Sequence, residues 1–523
     1  MAGKFIVIAA LAAMILSTAP AQGQTLSANP DSALQVFLKG IEGTHLTLEE
    51  AVRQGLANAT AVRRAEASYN AALGTVRRER GIFDPDLFFN VSYEDDAIPT
   101  SSFFAGAPIL MNQQTTASTG VQWSLPIGTQ LQASINTVRL NTNSTFAFLN
   151  PQYTAFGSLS LRQPLLGGFG ASARKQLSKA EQDLDAATAR RDQQVLALTS
   201  DIELRYWGLY AAERDYAVRK FTRDQGEVFL QETQMRAKAG LVGPNQVANA
   251  RTFLAEQKSL LIDTQEELDR LSDEFAALIG VRPEPGSPRF VTTSDPPGQY
   301  EAGPVDTVVE RARSNNLDLR AAQSDVDAAR TLASAAGWEM LPSVDLLGSL
   351  GGNGLAGSPQ AVIFNGDTLT TTVNGGFSDA VNQVVNRDFR TWSVGVEVKI
   401  PIGFRNGLGE KDRLQAELAS AEARYTEQER SLEAQVRTTY RELVHGNERL
   451  SAAKEGVEAA GEQGRIGRIE FYNGRTTAFE LVRLAADYVA AQQRYSQALV
   501  RTAKAATTLK QLTSGSYTGT TTK

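Results

Sequence analysis

The stretch GGFGASA holds Gly168, Gly170 and Ala173 at the spacing of a dinucleotide-binding fingerprint. Such a loop would set backbone N–H groups and a helix N-terminus against a pyrophosphate. That unit should close as strand–helix–strand within about 30 residues, with an acid near the second strand's end. Here the helical pattern runs from residue 174 to 239 instead. The glycines therefore read as a turn between a strand and a long helix, and IPIGFRNGLGE (Ile400 to Glu410) reads the same way. The only two histidines, His45 and His445, lie in unlike contexts, which disfavours a His-based metal centre or triad. The chain has no Cys, and therefore no disulfide, thiolate metal site or cysteine nucleophile. P-loop, G-x-S-x-G and H-E-x-x-H patterns are missing, so no enzyme activity and no cofactor is expected.

The elements that would carry any site are long. Aromatics make up 7% of 523 residues and the mean hydropathy is −0.25, which suits solvated helices better than one thick core. A net charge of −6 gives no reason to expect nucleic acid. Ile202, Leu209 and Tyr216 recur every seven residues, as do Val436, Leu443, Leu450 and Val457. Val247, Leu254, Leu261, Leu268 and Phe275 continue the period, and so do Leu481, Tyr488 and Tyr495. A sustained period of seven predicts coiled-coil packing. Residues 174 to 239 would form a rod of about 100 Å at 1.5 Å per residue.

The plan is written twice. At an offset of 257, Asn58, Arg63 and Pro85 meet Asn315, Arg320 and Pro342; at 234, Tyr206, Leu209 and Gly240 meet Tyr440, Leu443 and Gly474. Both long helices break at matching points, in AKAGLVGPNQVANAR (237–251) and FYNGRTTAFELVRLA (471–485). Pro244 would cost a helix interior about 3 kcal/mol, so the first break is firm.

Four segments, 87–95, 156–163, 343–350 and 391–400, alternate apolar and polar residues in the manner of transmembrane β-strands. Segments 96–119 and 351–390 read as long polar loops, and an extra alternating pair (119–138) lies between the first two strands. Whether that hairpin joins the sheet or folds outside it is open at this level. Neither four strands nor six close a barrel alone, and open edges in lipid leave backbone groups unsatisfied, so the barrel must be shared between chains. Lys4, the apolar run Phe5–Leu16 and the small-residue site Ala19-Pro20-Ala21 read as a secretory signal peptide, cleaved to leave Gln22 first.

The expected division is a signal peptide at 1–21, an N-terminal segment at 22–46 and a first repeat at 47–280. A Pro-rich linker at 281–303, a second repeat at 304–512 and a flexible tail at 513–523 complete it. The fold class is α+β membrane protein: a long coiled-coil α-helical barrel continuous with a β-barrel shared between protomers, in two internal repeats.

QPLL at 163–166, Gly170, GLVGPNQVANAR and YNGRTTAFELV, within this doubled plan, resemble the TolC family of outer-membrane efflux ducts. The resemblance implies a homotrimer with a shared twelve-stranded barrel in outer-membrane lipid and a helical tunnel extending into the periplasm. It also implies a periplasmic adaptor and an inner-membrane transporter or secretion ATPase as partners, and passive efflux or type I secretion as function. The competing reading is a trimeric coiled-coil surface stalk or adhesin without transport. By resemblance the two breaks, at Gly240 and Gly474, are hairpins at the periplasmic tip, where the tunnel narrows and the adaptor docks. Glu480 matches the first of two acidic constriction positions, whereas Arg483 stands at the second. In the lock between hairpins, Gln246 replaces an acid, Thr476 a basic residue and Phe471 a tyrosine.

Overall fold

The computed structural model describes residues 37–364 and 366–515. The expected signal peptide and its cleavage point, and tail residues 516–523, lie outside the described residues. The chain opens with β1 (Thr44–Leu46), α1 (Leu48–Asn58), α2 (Thr60–Gly81) and β2 (Asp86–Pro99). Strands β3 (Ile109–Ser124), β4 (Gln130–Thr142) and β5 (Leu149–Pro164) follow, then α3 (Lys175–Lys238) and α4 (Pro244–Ile279). After β6 (Phe290–Thr292) come α5 (Val305–Asn315), α6 (Leu317–Glu339), β7 (Ser343–Pro359), β8 (Val362–Phe364) and β9 (Asp367–Leu369). The last elements are α7 (Phe377–Asn386), β10 (Phe389–Lys399), α8 (Arg405–Tyr472) and α9 (Ala478–Leu512).

The internal repeat is visible in the backbone. Ala59, between α1 and α2, has φ −65° and ψ 127°; Asn316, between α5 and α6, has φ −62° and ψ 123°. These two breaks are 316 − 59 = 257 residues apart, the offset read from the sequence. The first helical stretch of each repeat is thus two helices with one extended residue between them. The helical pairs α3–α4 and α8–α9 correspond at the offset of 234.

Two compact units divide the chain. One contains residues 190–319 and 427 onward together with the N-terminal part up to Glu66. Its core follows the heptad positions: Ile202, Leu209, Leu268, Phe275, Leu450, Val457 and Tyr495 are all buried. Within it the Pro-rich linker is pinned rather than loose. β6 pairs in parallel with β1, and the Tyr206 hydroxyl donates to the Leu46 carbonyl at 3.0 Å. That same hydroxyl accepts the N–H groups of Thr293 and Ser294 at 3.0 and 2.9 Å. The buried Glu213 carboxylate accepts the Thr292 N–H at 2.7 Å and its hydroxyl at 2.6 Å. Thr513 and Ser514, expected in a flexible tail, are held as well. Thr513 is fully buried and the Ser514 hydroxyl accepts the Leu317 N–H at 3.2 Å.

The other unit, residues 67–189 and 320–426, is built on a six-stranded antiparallel sheet in the order β10-β7-β5-β4-β3-β2. The extra hairpin is β3–β4, and it sits inside the sheet between β2 and β5. The expected loop at 96–119 is therefore mostly strand, since β2 continues to Pro99 and β3 starts at Ile109. Likewise β7 extends to Pro359, and the expected second loop carries α7. Directly opposed residues share a face, so register separates two surfaces. On one lie Leu87, Phe89, Val91, Tyr93, Leu350, Trp392, Val394 and Val396, all exposed. On the other, Ser134 meets Ser158, Ser349 meets Ser393, and Arg162 pairs with Asp345. Helix α7 lies on the apolar face over β5 and β7, where Ala380 and Val384 pack on Ala155 and Ala356. A Cβ at Gly354 would come within 1.9 Å of the Ala380 carbonyl oxygen, so only glycine admits the helix there.

Candidate functional site: the paired helical hairpins

Both long helices end in the same motif. The Gly240 N–H donates to Ala237 O and the Leu241 N–H to Arg236 O, at 3.0 and 2.9 Å. In the second repeat Gly474 donates to Phe471 O and Arg475 to Glu470 O, at 3.0 and 2.8 Å. This pair of bonds is the Schellman motif, which needs a left-handed residue at the turn. Gly240 has φ +74° and Gly474 φ +68°, values a Cβ would oppose. The following helices start differently. Pro244 begins α4 behind Gly243, which offers no side-chain cap, whereas the Thr477 hydroxyl accepts the Glu480 N–H at 3.3 Å.

The two hairpins are fastened to each other. Arg236, in the last turn of α3, donates through Nη1 to the Phe471 carbonyl at 2.9 Å, and its guanidinium lies 4.2 Å from the Phe471 ring centre. The cation adds a second hydrogen bond to a carbonyl that already accepts the Gly474 N–H, and at a helix C-terminus its charge favours the helix dipole. Phe471 is buried against Phe229, ring centres 5.7 Å apart, with Ala250 beside them. The Tyr472 hydroxyl donates to Glu232 at 2.8 Å, and this acceptor carboxylate holds the phenol above its usual pKa. Between α3, α4, α8 and α9 lies a cavity of about 330 Å³, lined by Phe229, Phe253, Tyr472, Tyr488, Gly461 and Gly464 among others.

Of the residues expected at the site, Gly240 and Gly474 make the turns, and Phe471 joins the hairpins through its ring. Glu480 and Arg483 form an ion pair one turn apart on α9, with Arg483 the more exposed. Gln246 and Thr476 are half-buried. Sequence reasoning missed Arg236, Glu232 and Tyr472. A basic residue in the last helical turn is a local signal for the first; the other two act across hairpins some 240 positions apart, which leaves no local trace. The other sequence candidates lie elsewhere. Gly168 (φ +92°) and Gly170 (φ +59°) make the turn into α3, His45 sits in β1, and the exposed His445 ring lies 3.3 Å from Glu448.

Residues 308–515 match the family model described as Outer membrane efflux protein. No curated protein gives a significant match. The fold is similar to the outer-membrane channel OprN, with 18% identity and TM-score 0.61 over 90% of each chain. It is also similar to VceC from Vibrio cholerae (15%, TM-score 0.63, 90% of this chain and 96% of that one). CmeC from Campylobacter jejuni gives 13% and 0.61 over 96% of this chain and 91% of its own. At these identities the solved structures establish the fold.

Proposed function

We infer, from the match of residues 308–515 to the outer membrane efflux protein family and from the shared fold, that the chain is an outer-membrane channel through which an efflux assembly empties. It has no chemistry of its own; its function is a path. One observation carries the reading best: a six-stranded sheet with an exposed apolar face, a hydrogen-bonded polar face and two edges that are unpaired among the described residues. In water that apolar face would be a liability; in lipid it is solvated, and the polar face lines an aqueous lumen.

The same sheet requires company. Edge strands β2 and β10 expose a row of N–H and C=O groups, each costing several kcal/mol in hydrocarbon. The channel is accordingly a homotrimer whose sheets join into one barrel, with the heptad-bearing helices lining a periplasmic tunnel. The fastened hairpins form its periplasmic mouth, with Gly240, Gly474, Gln246, Thr476 and Phe471 shaping the surface that a periplasmic adaptor meets. Glu480, tempered by Arg483, sets ion preference there. An inner-membrane transporter or secretion ATPase supplies the energy and selects the cargo.

Deleting the gene should raise intracellular accumulation of a fluorescent efflux substrate such as ethidium, and restoring it should reverse the effect. Unchanged accumulation together with loss of surface attachment would favour the stalk reading.

A further inference from the structure

We propose that β10 of one copy pairs with β2 of the next in one register, and that three copies close an eighteen-stranded barrel. This rests on the trimeric channel reading and adds to it the seam and the strand count.

Direction permits the pairing. Antiparallel neighbours alternate across the sheet from β2 to β10, so the two edge strands run oppositely and a further copy continues the alternation. Face restricts it. Over the seam, the exposed apolar run of β2 is odd-numbered (Leu87, Phe89, Val91, Tyr93), whereas that of β10 is even-numbered (Trp392, Val394, Val396, Val398); Phe88 and Phe389 lie on the opposite face. A slip by one residue would put every apolar side chain opposite a polar face. Only registers that oppose odd to even positions remain.

Charge then selects among these. Setting Val91 opposite Val394 aligns Leu87 with Val398, Phe89 with Val396 and Tyr93 with Trp392. The same register sets Asp86 against Lys399 at one end of the seam and Asp95 against Arg390 at the other, all four exposed in the single chain. Within its own chain Lys399 reaches Glu397 at 3.0 Å, so Asp86 would give this cation a second carboxylate. A shift of two residues one way opposes Asp86 to Glu397 and Asp95 to Asp388. The same shift the other way sets Lys399 against Phe88 and Asp95 against Trp392. Opposite charges directly across a ladder stabilise a pair and like charges destabilise it. The seam with both acid–base pairs is the favoured one.

Strand count follows from topology. β3 and β4 are paired on both sides, so each chain brings six strands, and three chains bring three times six. Barrel diameter grows roughly linearly with strand number, so this barrel is about half as wide again as a twelve-stranded one.

The native chain has no Cys, so introduced thiols are the only ones present. Ser92→Cys/Ser393→Cys and Val91→Cys/Val394→Cys test the register, with Ser92→Cys/Thr391→Cys and Ser92→Cys/Gly395→Cys as its two-residue shifts. Consecutive opposed pairs alternate between closer and wider spacing, so at least one of the first two should yield disulfide-linked trimers in outer membranes. Linkage through a shifted pair, or through none, would overturn the seam. Asp86→Lys should reduce heat-resistant trimer, and adding Lys399→Asp should restore it; no restoration would count against the register. An electron cryomicroscopy map of the unmodified trimer should show eighteen strands; twelve, with β3–β4 outside the wall, would overturn the count. Bilayer conductance measured alongside keeps the two readings apart: a conducting trimer without seam disulfides would sink the seam alone.

Discussion

Arg236 and Phe471, from hairpins of different repeats, form a double contact: the guanidinium sits 4.2 Å from the ring centre while Nη1 donates to the Phe471 carbonyl at 2.9 Å. Each contact alone is worth about 1 kcal/mol at a half-exposed position. Together they join two helix ends that share no local sequence.

Arg236→Ala should therefore loosen the pair of hairpins by roughly 1–2 kcal/mol. Amide exchange around 469–474 should accelerate while exchange in the core near Leu209 stays unchanged. Arg236→Lys should recover only part of the protection, because an ammonium lacks the planar fork. Unaltered exchange in Arg236→Ala would show that Phe471 packing alone suffices.

The hairpins, the long helices and the repeat were legible because glycine, proline and a seven-residue period are local signals. Gly240 and Gly474 could be read directly, since each needs φ above zero. Strand lengths were not. Residues 109–118, ILMNQQTTAS, show little alternation, yet β3 is held extended by backbone pairing on both sides. The extra hairpin's position in the sheet depends on backbone pairing with β2 on one side and β5 on the other, which side-chain periodicity does not report. At the hairpins the turn residues were visible, but the fastening through Glu232, Arg236 and Tyr472 was hidden for the same reason.

Glycine itself can be tested at the turns. Gly240→Ala or Gly474→Ala should each cost about 1 kcal/mol, because alanine in the left-handed region is strained by roughly 1–2 kcal/mol. Neither site has atoms within 4 Å of an added Cβ, so the penalty is conformational rather than steric. A drop in melting temperature from both variants is expected. A drop from one only would mean that the two turns are not equivalent.

Burial pushes the Glu213 carboxyl up to about 8, against the pull of its two Thr292 hydrogen bonds and the Arg289 charge. The folded chain thus holds this proton more tightly than the unfolded chain does, at an ordinary carboxyl pKa near 4.5. Its contribution to stability is full below that value and is lost as pH rises through about 8. Melting curves from pH 5 to 9 should show the wild type losing stability relative to Glu213→Gln, whose side chain stays neutral. Parallel curves would mean that Glu213 is ionised throughout.

At the proposed mouth, Glu480→Ala should abolish cation preference and sensitivity to divalent ions. Arg483→Ala should strengthen both by releasing the carboxylate from its ion pair. Reversal potentials in asymmetric salt read this directly. If both variants keep the wild-type preference, the two side chains lie away from the constriction.

Single-channel recording of the purified oligomer in a planar lipid bilayer tests the channel reading most directly. Discrete, voltage-stable conductance steps that scale with salt concentration are predicted, small in the wild type and larger when Arg236→Ala loosens the hairpins. A folded, membrane-inserted oligomer that passes no current in either form would contradict it.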